Sequence, residues 1–435
     1  MIRRRLFYFL VVAMCSAALF AAGCHSDNDN PSPPPVNTDT GGQVSGTSAV
    51  PGTDLTEIAA RLDLVLALGY NTTNPDALAK VLFDDTATTT DPFILDTREP
   101  ADYAAGHIPG AVNIPLQNLP QALLDGTSGI PADREVVVAS YWGNDGNMAS
   151  LLINVARIAD PVAQKAALDA KTALPYPKAT GLFQGMTSWS FRRDLVPVGT
   201  RFDDAGAAGV VVEKATQPGT AAATPTDVYP AFSPFTASVD TVVDKILVRA
   251  KNYLNSVPTQ FDLQVYPSAL ATNLEDGNAA NDPQIVSVRS AAHFALGHIP
   301  GSINIAYQKV ADLANSELID PTKPVVAYCY TGHTGSISTM ALGILGYPAR
   351  NLLYGINGWN TSPAIASGQL LNFDLFKAWD FPLNDGSAVD LASLADYVPP
   401  TGCVECHSSL TAVFYDREVA NPPIASVAPP SEGEG

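Results

Sequence analysis

Cys329 is the residue of this sequence that is best placed to act as a nucleophile. The apolar run 325–328 precedes it, a short loop follows, and apolar residues then recur at helical spacing from Ile337 to Leu345. This pattern predicts a strand, a loop and a helix, with Cys329 at the carboxyl end of the strand. Loop N–H groups and the positive end of the helix would favour the thiolate and an anionic sulfur adduct. A buried and inert structural cysteine is the alternative.

The residues around Cys329 form a candidate anion cradle. They supply backbone N–H groups, hydroxyl groups and an imidazole. The guanidinium of Arg289, from an upstream segment, is a further candidate that would face the same cleft. If the His333 imidazole is near the sulfur, its charge would favour the thiolate at mildly acidic pH. The predicted cradle consists of Tyr330, Thr331, Gly332, His333, Thr334, Gly335 and Arg289.

The tail contains a second chemical pattern, Cys403-Val404-Glu405-Cys406-His407. Two thiols at this spacing, followed by an imidazole, are typical of covalent haem c attachment, with His407 as the proximal iron ligand. A distal ligand would have to come from the body of the protein, a partner or water. A Cys403–Cys406 disulfide, which could resolve a Cys329 persulfide, is the alternative. Zinc is disfavoured because only three ligands are close.

The amino terminus resembles a bacterial lipoprotein export signal. Arg3–Arg5, an apolar run and Ala21-Ala22-Gly23 precede Cys24, which would be the acylated residue of the mature chain. The apolar run is too short for a transmembrane helix. We expect a lipoprotein of the outer membrane that faces the periplasm or the cell surface. The net charge of −19 argues against nucleic acid as a partner.

Two segments of the chain repeat each other, which predicts two similar domains. A strand pattern at 91–98 and Gly-His-Ile-Pro-Gly at 106–110 are echoed at 282–289 and 297–301, and both copies close with Gly-x-x-x-Trp, at 185–189 and 355–359. Strands that alternate with short helices indicate an α/β fold. Each domain would hold a mainly parallel sheet flanked by helices, with its site at the carboxyl ends of the strands.

These motifs together resemble tandem rhodanese-like proteins. The resemblance implies a sulfurtransferase whose loop cysteine accepts a sulfane sulfur as a persulfide and passes it to a thiol or another nucleophile. It also implies that the cysteine is often kept only in the second domain. The gap-free alignment of 135–146 on 324–335 places Ser140 opposite Cys329, so the first domain is predicted to be non-catalytic. A serine hydrolase site at Ser140 lacks an elbow motif and an ordered His/Asp partner.

The loop around Cys329 departs from the family pattern at its end. Many members that use thiosulfate place an arginine in this loop or at its end, whereas Thr334 stands here, which puts thiosulfate as the donor in doubt. Cysteine phosphatases on this fold need a longer loop closed by arginine, so Gly335 argues against that chemistry. The resemblance gives His107 and His298 structural roles in their turns. Asp96 with Arg98, and Arg289 beside Ser287, are first interpreted as local salt-bridge and turn residues.

The predicted organisation has six parts. They are a signal peptide at 1–23, a disordered tether at 24–53, domain 1 at 54–199, a linker at 200–235, domain 2 at 236–370, and a tail at 371–435 that carries the haem motif. Amphipathic stripes, Ile58–Leu66 and Val242–Tyr253, predict a matching helix at the start of each domain.

Two functions follow from these patterns. One is a lipid-anchored sulfurtransferase with a small sulfur-containing donor and a thiol acceptor. The other is a non-enzymatic electron-transfer or assembly subunit of an outer-membrane redox complex, in which haem works with partner proteins and the rhodanese fold is a scaffold.

Overall fold

The computed structural model describes residues 41–69, 72–83, 91–172, 174–190, 192, 195–197, 224–360, 362 and 365. These residues form two five-stranded parallel sheets with helices on their faces, and one two-stranded antiparallel ribbon. The predicted α/β fold with two mainly parallel sheets is therefore confirmed. Cys24, Cys403, Cys406 and His407 lie outside the described residues, as do the whole predicted signal peptide and the whole predicted tail.

The first sheet has the strand order β2-β6-β5-β3-β4, with β5 in the centre. All four residues of β5 are buried, as expected for the central strand of a parallel sheet that is covered on both faces. The elements of this half are α1 (Thr53–Ala67), β2 (Thr72–Thr73), α2 (Pro75–Leu82), β3 (Phe93–Asp96), α3 (Pro100–Ala105), β4 (Val112–Asn113), a 3-10 helix (Leu116–Asn118), α4 (Leu119–Leu124), β5 (Val136–Ala139), α5 (Asn144–Arg157), α6 (Pro161–Asp169), β6 (Ala179–Leu182) and α7 (Gly185–Trp189).

The second sheet repeats this arrangement, because its order β8-β12-β11-β9-β10 follows the same path through the chain. The buried strand β11 takes the central place of β5. The elements of this half are α8 (Val242–Leu254), a 3-10 helix (Gln260–Leu263), β8 (Gln264–Val265), α9 (Pro267–Leu274), β9 (Gln284–Ser287), α10 (Ala291–Leu296), β10 (Ile303–Asn304), a 3-10 helix (Tyr307–Lys309), α11 (Leu313–Ser316), β11 (Val325–Tyr328), α12 (His333–Leu345), β12 (Ala349–Leu352) and α13 (Gly355–Trp359).

The two halves share a hydrophobic core. Leu62 and Met148 of the first half and Leu247 and Met340 of the second belong to one cluster of buried side chains. Helix α5 packs against α12, and α1 packs against α8. The predicted amphipathic helices are confirmed, and their apolar stripes form part of this joint. The halves are thus held as a fixed pair.

The structure differs from the sequence prediction over the end of the tether and the end of the linker. Strand β1 (Val44–Ser48) pairs antiparallel with β7 (Tyr229–Phe232), so these residues are ordered. The Arg249 side chain fixes the ribbon: its Nη1 donates to the carbonyl oxygen of Gly42 at 2.7 Å, and its guanidinium lies 4.5 Å from the Phe232 ring centroid. Polar composition suggested a disordered segment, but a distant strand supplies the missing backbone partners.

No helix within the described parts of the chain is both long and apolar enough to cross a membrane.

Candidate active site

The structure places Cys329 directly after β11, at the carboxyl end of the central strand, as predicted. A tight loop of four residues, 329–332, leads into α12, which begins at His333, earlier than the apolar spacing indicated. Gly332 has a φ of 96°, a left-handed conformation that suits glycine. Its N–H donates to Sγ of Cys329 at 3.1 Å, and Cys329 has no exposed surface. The sulfur therefore lies at the positive end of a buried helix and already accepts a backbone hydrogen bond.

Helix α13, which carries the Gly-x-x-x-Trp motif, pins the loop from behind. The N–H of Ile356 donates to the carbonyl oxygen of Cys329 at 2.9 Å, and the N–H of Asn357 donates to that of Tyr330 at 3.1 Å. A Cβ on Gly355 would lie 2.6 Å from the Cys329 carbonyl oxygen. The closing motif is thus needed for the shape of the cysteine loop.

Ser140 occupies the equivalent place in the first half, as the gap-free alignment predicted. The N–H of Gly143 donates to its Oγ at 3.0 Å, and Gly143 has a φ of 87°. The same loop geometry is therefore present twice, once around a hydroxyl and once around a thiol. A hydroxyl cannot carry a persulfide.

The loop around Ser140 is covered by an aromatic side chain of the second half and lies beside two carboxyl groups. Phe261 of the second half packs on Tyr141 and Trp142, with ring centroids 4.8 and 5.8 Å apart. Tyr141 hydrogen-bonds to Asp102, and burial raises the pKa of Asp145 to about 7. The carboxyl groups disfavour a negatively charged sulfur beside this loop, and the Phe261 ring covers it.

The second loop has an imidazole where the first has a carboxylate. Tyr330 is hydrogen-bonded to Nδ1 of His293, just as Tyr141 is bonded to Asp102. His293 stands six residues after Ser287, and Asp102 stands six residues after Asp96 in the repeat. The sequence analysis did not assign His293 to the cradle, although the repeat alignment could have found it. An imidazole is compatible with an anionic sulfur donor where a carboxylate is not.

His333 does not carry the charge that was considered for it. Its side chain is 3% exposed, and burial lowers the pKa of His333 to about 3, so the imidazole is neutral at mildly acidic pH. Nε2 lies 3.2 Å from the backbone nitrogen of Gln184, and Nδ1 lies 2.8 Å from Oγ1 of Thr331. The prediction that a charged His333 imidazole favours the Cys329 thiolate is therefore wrong. His333 instead joins the loop to the first half of the molecule.

Arg289 also differs from its predicted role in the cradle. It is 1% exposed, and its guanidinium donates to the carbonyl oxygens of Gly297 and, at 2.9 Å, Ile365. The guanidinium lies 5.6 and 5.7 Å from the ring centroids of Tyr328 and Tyr330. These bonds commit its donors to the fold, so Arg289 supports Tyr330 from behind. Arg289 is therefore a structural residue of the turn and does not bind an anion in the cradle.

The remaining predicted residues take different places around the loop. Thr331 is 3% exposed and Thr334, in the first turn of α12, is 2% exposed. Gly335 acts by its size, because a Cβ there would lie 2.5 Å from Oδ1 of Asn351 and 3.2 Å from the backbone nitrogen of Cys329. It lets the start of α12 approach the cysteine loop closely.

The structural predictions for the turn residues are confirmed. Nδ1 of His107 is 2.8 Å from the carbonyl oxygen of Tyr103, and His298 is similarly bonded to Phe294 at 3.0 Å. Each imidazole also stacks on the ring of that aromatic residue. Asp96 and Arg98 form a fully buried ion pair at 2.7 Å. All of these groups thus make local contacts within the fold.

Comparison with known proteins supports the repeat. The model of the rhodanese-like domain matches residues 75–190 and again 267–362. No curated protein sequence gives a significant match to the chain.

Among solved structures, several are similar at low identity. A rhodanese-like domain protein from Staphylococcus aureus is 24% identical, covering 22% of this chain and 90% of that chain, with a TM-score of 0.20. The Tum1 protein from Saccharomyces cerevisiae is 16% identical, covering 65% and 92%, with a TM-score of 0.23. SseA from Escherichia coli, a 3-mercaptopyruvate sulfotransferase, is 18% identical, covering 65% of this chain and 98% of that chain, with a TM-score of 0.21. With the duplicated sheets and the two family matches, this chain contains two rhodanese-like domains, of which the second carries the cysteine.

Proposed function

We propose that this protein is a sulfurtransferase that carries sulfane sulfur as a persulfide on Cys329. One observation carries the proposal: Sγ of Cys329 sits at the head of the buried helix α12 and accepts the Gly332 N–H at 3.1 Å. Such a place stabilises a thiolate and a negatively charged persulfide without a metal or a general base.

The reaction has two displacements at sulfur. The Cys329 thiolate attacks the sulfane sulfur of the donor, an S–S bond to Cys329 forms, and the bond between that sulfur and the rest of the donor breaks with its electron pair. The acceptor thiolate then attacks the outer sulfur of the persulfide, and the Cys329 thiolate leaves. The sulfur atom moves with no net change in the oxidation state of the enzyme.

The cradle favours a small donor. The backbone N–H of Gly332 donates to the sulfur, and Arg289 has its donors bound to Gly297 and Ile365. A donor that needs a guanidinium clamp for a sulfonate fits this arrangement poorly. We therefore assign a compact sulfane donor, such as a low-molecular-weight persulfide, and a small thiol acceptor.

The first test compares Cys329→Ser with Ser140→Ala. Incubation with a low-molecular-weight persulfide is expected to add the mass of one sulfur atom to the wild type, and a thiol acceptor is expected to remove it. Cys329→Ser should lose both steps. Ser140→Ala changes the matching residue of the first loop and should keep them. Full sulfur transfer by Cys329→Ser would refute the proposal.

We also propose that the protein is exported and anchored by acylation of Cys24. The anchor is supported by Arg3–Arg5, the apolar run and Ala21-Ala22-Gly23 before the cysteine. Cells that express the full chain should incorporate labelled fatty acid into it and retain it in the outer membrane fraction. Cys24→Ala should remove the label and release the protein, and an unchanged distribution would contradict the anchor.

The tail motif favours a second function, in which covalent haem at Cys403, Cys406 and His407 exchanges electrons with redox partner proteins in the same envelope. The motif is a property of the sequence, and the chemistry that haem would supply is one-electron transfer. Protein from a host that matures cytochromes c should show a haem-sized mass increase and a Soret band, both absent from Cys403→Ala. Without haem, the two thiols would be assigned to a disulfide.

A further inference from the structure

The imidazole of His333 receives its hydrogen bonds from the first domain. The backbone N–H of Gln184 points at Nε2 across 3.2 Å, and the side-chain amide nitrogen of the same residue lies 3.3 Å from it. A backbone N–H can only donate, so Nε2 must present its lone pair. The ring of Phe183, also from the first domain, lies against the imidazole with a centroid distance of 4.9 Å.

This contact fixes the tautomer of His333. The buried imidazole is neutral because burial lowers its pKa to about 3, and its one proton must then sit on Nδ1. Nδ1 lies 2.8 Å from Oγ1 of Thr331, so Nδ1–H donates and the hydroxyl oxygen accepts. The hydroxyl proton of Thr331 is consequently turned away from His333 and is available as a donor.

Thr331 stands in the cysteine loop itself, between Cys329 and Gly332. The Gly332 N–H already donates to the sulfur, and a hydroxyl from the preceding residue would add a second donor to the same cradle. The loop of the first domain has Trp142 and Asn144 at the two matching positions, so it has neither the hydroxyl nor the imidazole. The loop without a cysteine thus also lacks this hydroxyl–imidazole pair, which we call the relay.

We infer that Gln184 and His333 are positioning residues, which turn the Thr331 hydroxyl into a donor for the sulfur bound at Cys329. The inference rests on the proposed sulfur transfer and gives the first domain a part in it. During each displacement negative charge develops on the departing sulfur, and a donor fixed in advance stabilises that charge without reorganisation. A loop hydroxyl with a freely rotating proton would give less help.

The hydroxyl is tested with Thr331→Val and Thr331→Ser in the full chain. Thr331→Val keeps the shape but removes the donor, and kcat for sulfur transfer from a low-molecular-weight persulfide should fall on the order of 100-fold, while KM changes little. Thr331→Ser keeps the hydroxyl and should recover most of kcat. Equal kcat values for valine and serine would overturn the inference.

The positioning step is tested with two replacements of His333 that separate its two hydrogen bonds. Asn places its amide nitrogen near the position of Nδ1 and can still donate to Thr331. Gln places its amide oxygen near the position of Nε2, where it accepts from Gln184, and provides no donor at the position of Nδ1. His333→Gln should therefore lose kcat as Thr331→Val does, and His333→Asn should retain more of it. The reverse order would contradict the relay.

A measurement on the wild type keeps the test independent of how the variants fold. In protein labelled with ¹⁵N-histidine, the His333 ring should show an unprotonated Nε2 and a protonated Nδ1 from pH 8 to about pH 5. The signal is assigned by its loss in His333→Asn. A proton on Nε2, or an imidazolium, would overturn the inference. If the wild type forms no persulfide, the proposed function fails first; if it does and Thr331→Val is unaffected, only this inference fails.

Discussion

At the scale of single residues, three matched pairs separate the two loops. In the alignment of the two copies, Cys329 corresponds to Ser140, Thr334 to Asp145, and His293 to Asp102. Each change removes a carboxyl group or adds a thiol on the side of the second domain. The gap-free alignment of 135–146 on 324–335 gives the first two pairs, and the repeat of 91–114 at 282–305 gives the third, so the sequence predicts which loop carries the thiol.

What the sequence could not show at this scale is which side chains spend their hydrogen bonds on the fold. Arg289 and His333 both carry polar side chains; His333 directly follows the loop, and Arg289 belongs to an upstream segment. The partners of Arg289 are backbone carbonyls of Gly297 and Ile365, and a partner of His333 is the backbone of Gln184, 149 positions away. Backbone partners have no signature in residue type, so both residues were assigned to the cradle.

Gly355 offers a test of how tightly the loop is built. Gly355→Ala must adopt a φ of 54° and place its Cβ 2.6 Å from the Cys329 carbonyl oxygen. We expect a loss of about 3 kcal/mol in the free energy of unfolding, from left-handed strain and from the clash. Persulfide formation on Cys329 should slow as the loop shifts. Urea denaturation and the rate of sulfur loading measure the two effects.

Gly301→Ala is the matched control for this prediction. Gly301 has a φ of 74°, but a Cβ there meets nothing within 4 Å. This variant should lose only about 1 kcal/mol, the cost of the left-handed conformation, and should load sulfur normally. Equal losses in the two variants would mean that the contact with Cys329 does not constrain the loop.

At the scale of secondary-structure elements, the long periodic segments were predictable and the ribbon was not. Helices α1 and α8 follow from apolar stripes whose central members, such as Ile58 and Ile246, are fully buried. Strand β1 is rich in Ser, Thr and Gly, and β7 contains Pro230, so neither has the composition typical of a strand. Their pairing depends on a partner more than 180 positions away, which local patterns cannot reveal.

Arg249 provides the test of the ribbon, because it ties together α8, the end of α12 and the segment before β1. Its guanidinium donates to the carbonyl oxygens of Ile344, Gly343 and Gly42 at 3.0, 3.2 and 2.7 Å. Arg249→Met leaves these acceptors without their donor. The relief of burying a cation offsets part of the loss, so we expect unfolding to become easier by about 2 kcal/mol.

Amide hydrogen exchange locates that effect. The β1 amides that pair with β7 should exchange faster in Arg249→Met than in the wild type, since the Gly42 anchor is gone. Lys251→Met removes a positive charge from the same helix and one hydrogen bond to Gln121, and it should cost less than about 1 kcal/mol. Unchanged exchange in β1 would show that the ribbon does not depend on Arg249.

At the scale of the whole molecule, the two domains complete each other. The second domain covers the first loop with Phe261, and the first domain contacts the second loop through Phe183 and Gln184. The repeat predicted two similar domains. It could not identify these contacts, because the residues that cross the interface differ between the two copies. The two copies thus differ, with one loop covered by Phe261 and the other carrying Cys329.

A buried carboxyl between the domains makes the stability of this pair depend on pH. Asp145 has no exposed surface, and its Oδ1 accepts from the amide of Gln264 in the second domain at 3.2 Å. Burial raises the pKa of Asp145 from 3.8 to about 7. Below about pH 4 the carboxyl is protonated in both the folded and unfolded states, so it costs nothing. Between pH 4 and pH 7 only the unfolded chain gives up the proton, and stability falls as pH rises.

Asp145→Asn should remove this dependence while keeping an acceptor for Gln264. The variant is expected to match the wild type near pH 4 and to exceed its free energy of unfolding by on the order of 2–4 kcal/mol above pH 7. Urea denaturation at pH 4, 6 and 8 measures the difference, with Asp133→Asn at an exposed position as the control that should follow the wild type. If Asp145→Asn were instead less stable at pH 8, the carboxylate would be ionised in the fold and held by the positive end of α5, since a charge at a helix start is stabilising. The pH series therefore decides whether burial or the helix end controls this interface.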